Sequence, residues 1–161
     1  MKKTGFGELF RRWDMTSVKL NMKFAEVEFQ ASDDDITAAW EMYVELLTRV
    51  ATQRIDDCQG DEIAALDSIY ALFDITRNVL KEKGRNAQNF TKIAIIVLNQ
   101  VIRPFTSKWH KRKNMGALST EEDCIEFRKD LVELQTELIK YAGMLSEMAM
   151  VENLIDILDE E

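Results

Sequence analysis

The sequence has few of the residues on which much protein chemistry depends. It carries two cysteines, Cys58 and Cys124, in 161 residues. That excludes a disulfide-rich scaffold and a zinc site built on thiolates. It carries one histidine, His110. Any site needing two imidazoles is therefore excluded, including the Glu-x-x-His pairs of di-iron bundles. One proline and six glycines argue against sandwiches, barrels and glycine-loop nucleotide folds. The longest unbroken apolar run, Ile93–Leu98, falls far short of the roughly 20 residues of a membrane span. Residues Met1–Asp14 lack the apolar core of a signal peptide. The expectation is a soluble, cytoplasmic, mostly helical domain with no metal site and no implied cofactor. Its apolar fraction of 46% suffices for a packed core.

Acid is missing locally as well. The chain has a net charge of −8, yet no Asp or Glu occurs between Glu82 and Glu121. By segment, residues 1–30 carry +2, 31–62 carry −7, 63–84 are neutral, 85–116 carry +7 and 117–161 carry −10. A basic zone in an acidic protein holds an anion such as phosphate or RNA, or it pairs with the acidic segments on either side.

Periodicity and punctuation predict an all-α bundle of four main helices over residues 32–161, preceded by an N-terminal arm, residues 1–31. Ser32 with Asp35 forms a capping box. Behind it, Ile36, Ala39, Trp40, Tyr43, Val44, Leu47, Val50 and Ala51 read as the buried stripe, with a stop near Cys58–Gly60. A second helix spans Asp61 to Lys83, with Gly84 as its C′ residue. A third runs from Asn86–Asn89 to Lys113. Its apolar centre marks it as buried, and Pro104 predicts a kink near Gln100–Pro104. The fourth opens at Ser119 or Thr120. Cys124, Phe127, Leu131, Leu134, Leu138, Tyr141, Leu145 and Met148 follow at alternating gaps of three and four, a coiled-coil spacing. This seam packs within the bundle or, through helix 119–158, against a partner protein or a second copy. In the arm, Val18, Leu20, Met22 and Phe24 alternate as in a strand. That leaves an irregular arm, a short strand or hairpin, or an edge that pairs with another copy. Leu9, Phe10 and Trp13 with Arg11 and Arg12 make a basic amphipathic turn suited to a membrane surface, to a partner, or to packing on the bundle.

One constellation carries chemistry. Asn99, Arg103, Thr106 and His110 are spaced four, three and four, one stripe of an unkinked helix. Arg matches a phosphate as a permanent planar cation. His titrates near neutral pH and moves protons. Lys108, Lys111, Arg112 and Lys113 around Trp109 make a second, anion-binding set of stacking-plus-phosphate type. A basic helix end suits the dipole equally well. Glu41 and Glu45, with Asp67 or Asp74, are a carboxylate set that also fits a solvated helix face.

Arg103-Pro-Phe-Thr-Ser-Lys-Trp-His110, in an all-α chain of this size, resembles the Arg-x(4–6)-His motif of the HEPN superfamily. The resemblance covers those eight residues and the fold class. It implies a metal-independent ribonuclease of prokaryotic defence or toxin–antitoxin systems. Such proteins act as homodimers whose motifs meet at a cleft, which makes Arg103, His110 and Asn99 the catalytic candidates. Two expectations stand together: a helical interaction or oligomerisation module with a basic anion-binding helix, and a HEPN-like ribonuclease.

Overall fold

The computed structural model describes residues 4–53, 61–116 and 118–159. It is an all-α bundle with no strand among those residues. The long elements are α3 (Asp33–Leu47), α4 (Glu62–Lys83), α5 (Gln88–Val97), α6 (Arg103–Asn114) and α7 (Glu121–Met148); the arm adds α1 (Phe6–Arg12) and α2 (Met22–Glu26).

The helix starts follow the caps. Ser32 Oγ accepts from the Asp35 amide and Asp35 returns a bond to the Ser32 amide, a complete capping box. Thr120 Oγ1 accepts from the Asp123 amide. Asp61 caps α4 through the Ala64 amide, and Gly84 ends it at φ +66°, a conformation that favours glycine. Asp35 does a second job. Fully buried, it also accepts from the Phe90 amide at 2.9 Å and from Asn89 Nδ2 at 2.9 Å. One carboxylate thus satisfies the first turns of both α3 and α5, which locks the two helices together.

α3 is central, packed on α7, α4 and α5. Its buried face is Ala38, Ala39, Met42, Tyr43 and Leu46, one position round from the expected stripe. Trp40 and Val44 are exposed. α3 also ends at Leu47, well before the expected stop, whose residues Cys58–Gly60 lie outside the described ones. Gln135, buried on α7, donates to the Val50 and Gln53 carbonyls at 2.7 Å each and so pins the chain leaving α3.

The heptad seam of α7 is buried inside the chain. Phe127, Leu131, Leu134, Leu138, Tyr141, Leu145 and Met148 are all at most 5% exposed. The seam is spent on intramolecular packing, and residues 119–158 are not one helix. α7 stops at Met148. Met150 then takes φ +58°, the Val151 amide donates to the Ser146 carbonyl and the Met150 amide to Glu147. That is a Schellman turn with methionine where glycine is usual. Tyr43 Oη holds the returning chain by accepting from the Leu154 amide at 2.6 Å.

The arm is not a strand. Alternation over Val18–Phe24 gives way to α2, capped by Asn21, and one isolated antiparallel bridge joins Gly5 to Glu28. With no other strand to pair with, these amides are better satisfied locally. Phe24 stacks on Phe6 at 4.6 Å, and Phe6, Leu9, Phe10 and Met15 join the same core as the bundle. The arm is fastened at two further points. Gln100 accepts from the Lys19 amide and donates to the Lys19 carbonyl, at 2.8 and 2.9 Å. Trp13 lies against Gly143 of α7, where an added Cβ would come within 2.7 Å of the indole, and its Nε1 donates to Glu147 at 2.5 Å. Arg12 pairs with the same Glu147.

Candidate functional site: the edge between α4 and α6

Pro104 is carried by a π-helical turn. Residues Leu98–Ile102 are π-helical, and the Arg103 amide donates five residues back to the Leu98 carbonyl. The wider turn accommodates the proline ring and its missing N–H without ending the helix. The expected irregularity therefore takes the form of a π-bulge. α6 continues beyond it with Pro104 in its first turn, where proline is tolerated.

From Arg103 onward the helical step of about 100° per residue sorts the basic zone. Phe105, Thr106 and Trp109 are buried. Lys108 and Arg112 fall on the flank facing α7, and Arg103 and His110 on the flank facing α4. Thr106 sits about 60° from Arg103 toward the core. Its hydroxyl donates to the Ile102 and Arg103 carbonyls, so it leaves the expected polar stripe.

On the α7 flank the bases are neutralised. Lys108 Nζ lies 2.6 Å from Asp130 and 3.1 Å from Glu126. Arg112 lies 2.5 Å from Glu126. The hydrogen bond that Lys108 donates to Asp130 raises the Lys108 pKa, and those from Arg112 and then Lys108 lower that of Glu126. Trp109 is fully buried. Its Nε1 donates to Asp130 at 3.0 Å, and Lys108 and Arg112 lie over its ring at 5.2 and 5.0 Å. Trp109 is therefore not a stacking platform for bases; it is the centre of an α6–α7 clasp. Lys113 faces Asp67 at 3.7 Å. Of this set, Lys111 is exposed and has no acidic partner among the described residues.

The α4 flank is different. Arg103 is exposed. Its Nε donates to Asn99 Oδ1 at 3.1 Å, and its guanidinium lies 4.7 Å from the Phe73 ring centre. No carboxylate pairs with it among the described residues. His110, half-buried, meets Tyr70 edge to face at 4.7 Å. Tyr70 and Phe73 are one turn apart on α4 and 5.7 Å between ring centres. Arg77 joins from the next turn, 5.9 Å from the Phe73 ring, while pairing with Asp74 at 2.6 Å. Asn99, Arg103 and His110 therefore lie along one edge, as their spacing predicts. The last two are two turns, about 10.5 Å of rise, apart. Tyr70, Phe73 and Arg77 complete the edge. Their apolar spacing on α4 reads as core, which Phe73 is and the half-exposed Tyr70 is not; Arg77, at i+4 from Phe73, is the signal that marks a helix rim.

The carboxylate set does not assemble. Glu41 pairs with Lys83, Glu45 with Arg49, Asp67 with Lys113 and Asp74 with Arg77. No metal-binding group occurs among the described residues. Asp33-Asp34-Asp35 serves the first turn of α3. Cys124 is half-buried, and burial pushes its thiol pKa up. Cys58 lies outside the described residues. No described helix is long and apolar enough to cross a membrane. No family model, curated protein or solved structure matches this chain.

Proposed function

We propose that the protein is a helical interaction module that holds a phosphate-rich ligand, RNA as the working case, along the edge formed by α4 and α6. The observation that carries this reading is Arg103. In a chain of net charge −8, its guanidinium stays exposed, braced by Asn99 and held over Phe73, with no carboxylate taking it up among the described residues. A planar cation held over an aromatic ring and braced by an amide is restrained before a phosphate arrives. Lys111 adds a free charge on the neighbouring face. The other bases of α6 are engaged with α7 or α4 and serve the fold. Partner contact falls to the outer face of α7, where Ile125 and Val132 are 63% and 59% exposed, seven residues apart. A cytoplasmic location accords with an RNA ligand and the free thiol of Cys124.

The test is binding of a fluorescent single-stranded RNA at low salt, followed by a salt titration. Affinity should fall steeply with salt. Arg103→Ala should weaken binding about tenfold, the scale of one charge-assisted bond. Lys108→Ala, which removes a neutralised base, should change it little. No binding at low salt, or equal losses for both variants, would refute the reading.

The second reading, a HEPN-like ribonuclease, is favoured by the placing of Arg103 and His110 on one edge, with no carboxylate paired to either among the described residues. His110 would take the proton of a ribose 2′-hydroxyl, and the 2′-oxygen would attack phosphorus. Arg103 would hold the non-bridging oxygens, and the 5′-oxygen would leave with a proton, giving a cyclic phosphate. Asn99 would fix the guanidinium. Cleavage in chelator that His110→Ala abolishes, with RNA binding retained, would establish it. A protein that binds RNA and leaves it intact would exclude it.

A further inference from the structure

A second concentration of unpaired charge lies where α4 turns into α5, at the C-terminal end of α4. Leu80 and Lys81 of α4, Gly84 and Arg85 of the turn, and Thr91 and Lys92 of α5 line a concavity of about 510 Å³, with Gln88 at its rim. That volume is within the usual 300–1,000 Å³ of small-molecule sites. No acidic residue lines it. Lys81, Arg85 and Lys92 are exposed, and none has an acidic partner among the described residues. The neighbouring Lys83, by contrast, is paired with Glu41 at 2.9 Å. Lys92 is held over the Phe6 ring at 5.7 Å. Three like charges around one hollow repel each other, and an anion bound there relieves that repulsion. Between the cations the wall is Leu80 and the bare Cα of Gly84, where an added Cβ would meet nothing within 4 Å. Gln88 and Thr91 supply uncharged hydrogen-bonding groups. The hollow thus combines a cationic rim with an apolar wall.

We propose that this notch binds a phosphomonoester whose organic part is flat and largely apolar, a mononucleotide being the fitting class. The phosphate sits among Lys81, Arg85 and Lys92, and the organic part covers Leu80 and the open side of Gly84. The site is separate from the Arg103 edge and does not depend on RNA being the ligand there.

The experiment is titration calorimetry at low salt with adenosine 5′-monophosphate, with adenosine and inorganic phosphate as the two half-ligands. The monophosphate should saturate one site, phosphate should bind more weakly, and adenosine should give no measurable heat. Arg85→Gln and Lys81→Met should each weaken the monophosphate at least fivefold. Neither side chain has a partner to lose among the described residues, so far-UV circular dichroism should stay unchanged. Arg103→Ala should leave the titration as it was. Competition by a short RNA only when it is 5′-phosphorylated would support the same site with a strand end as ligand. Absence of saturation by the monophosphate up to millimolar concentration would overturn the proposal. So would equal binding of adenosine, or affinity retained in the Arg85→Gln, Lys81→Met double variant.

Discussion

Gly143 lies inside α7, five residues before its last, where alanine is normally the better residue. Replacing a mid-helix glycine by alanine returns about 0.5–1 kcal/mol through the unfolded chain and helix propensity. Here the new methyl would come within 2.7 and 3.0 Å of two indole carbons of Trp13, well inside van der Waals contact. The indole must move, and overpacking of this kind costs about 1–3 kcal/mol. Moving it also loosens its bond to Glu147. Gly143→Ala should therefore destabilise the protein by about 0.5–2 kcal/mol, the difference of those ranges. The test is the sign in two backgrounds. With Trp13→Ala already in place the notch is empty, and the same change should stabilise by about 0.5–1 kcal/mol. Urea unfolding followed by far-UV circular dichroism on the four corners of the cycle gives the coupling, expected at about 1–3 kcal/mol. Equal stabilisation in both backgrounds would refute the docking of Trp13 against α7, and with it the fastening of the arm at that point.

Asp35→Ala should cost about 3–5 kcal/mol in the same assay, because it uncaps α3 and α5 together and leaves the Phe90 amide without its buried partner. Asp35→Asn should recover part of that loss. Leu138→Ala should cost about 3–5 kcal/mol, at the upper end for buried leucines, with a melting temperature independent of protein concentration; a concentration-dependent melt would mean that the seam is shared between copies. Met150→Gly should stabilise by about 1 kcal/mol, since the residue is 80% exposed at φ +58° and only its backbone is strained. Stability should also fall in acid through Glu126. Its pKa is lower in the folded state than in the unfolded one, so its contribution is complete above the unfolded value, about 4.3, and is lost as pH drops through the folded value. Glu126→Gln should remove that part of the acid dependence; an unchanged profile between pH 5 and 2 would show that the α6–α7 clasp does not act through this carboxylate.

The features legible from residues alone were those carried by short-range physics. Helix starts at Ser32, Asp61 and Thr120, the glycine end at Gly84 and the disturbance before Pro104 depend on neighbours within one turn. Backbone donors there must find a partner locally. The α7 seam was equally readable, because eight apolar residues in strict alternation leave one face to bury. The same pattern says nothing about what buries it. Only the packing of α3 and the other helices onto that face decided that it is internal. The stripe of α3 was misjudged by one position because Trp40 and Val44 are as apolar as Met42 and Leu46; which of them turns inward depends on the neighbours α3 meets. The alternation in the arm failed for a related reason. A strand exists only when another strand accepts its hydrogen bonds, and none is present among the described residues. The basic zone shows the division most plainly. Composition put seven cations in one segment without acid. Tertiary structure sorted them: Lys108 and Arg112 were matched to carboxylates of the next helix, 14 to 22 residues on, and Lys113 to Asp67 of α4, while Arg103, Lys111, Arg85 and Lys92 have no carboxylate partner among the described residues. Charge pairing acts through space over a few ångströms, and chain order does not record which charges come that close.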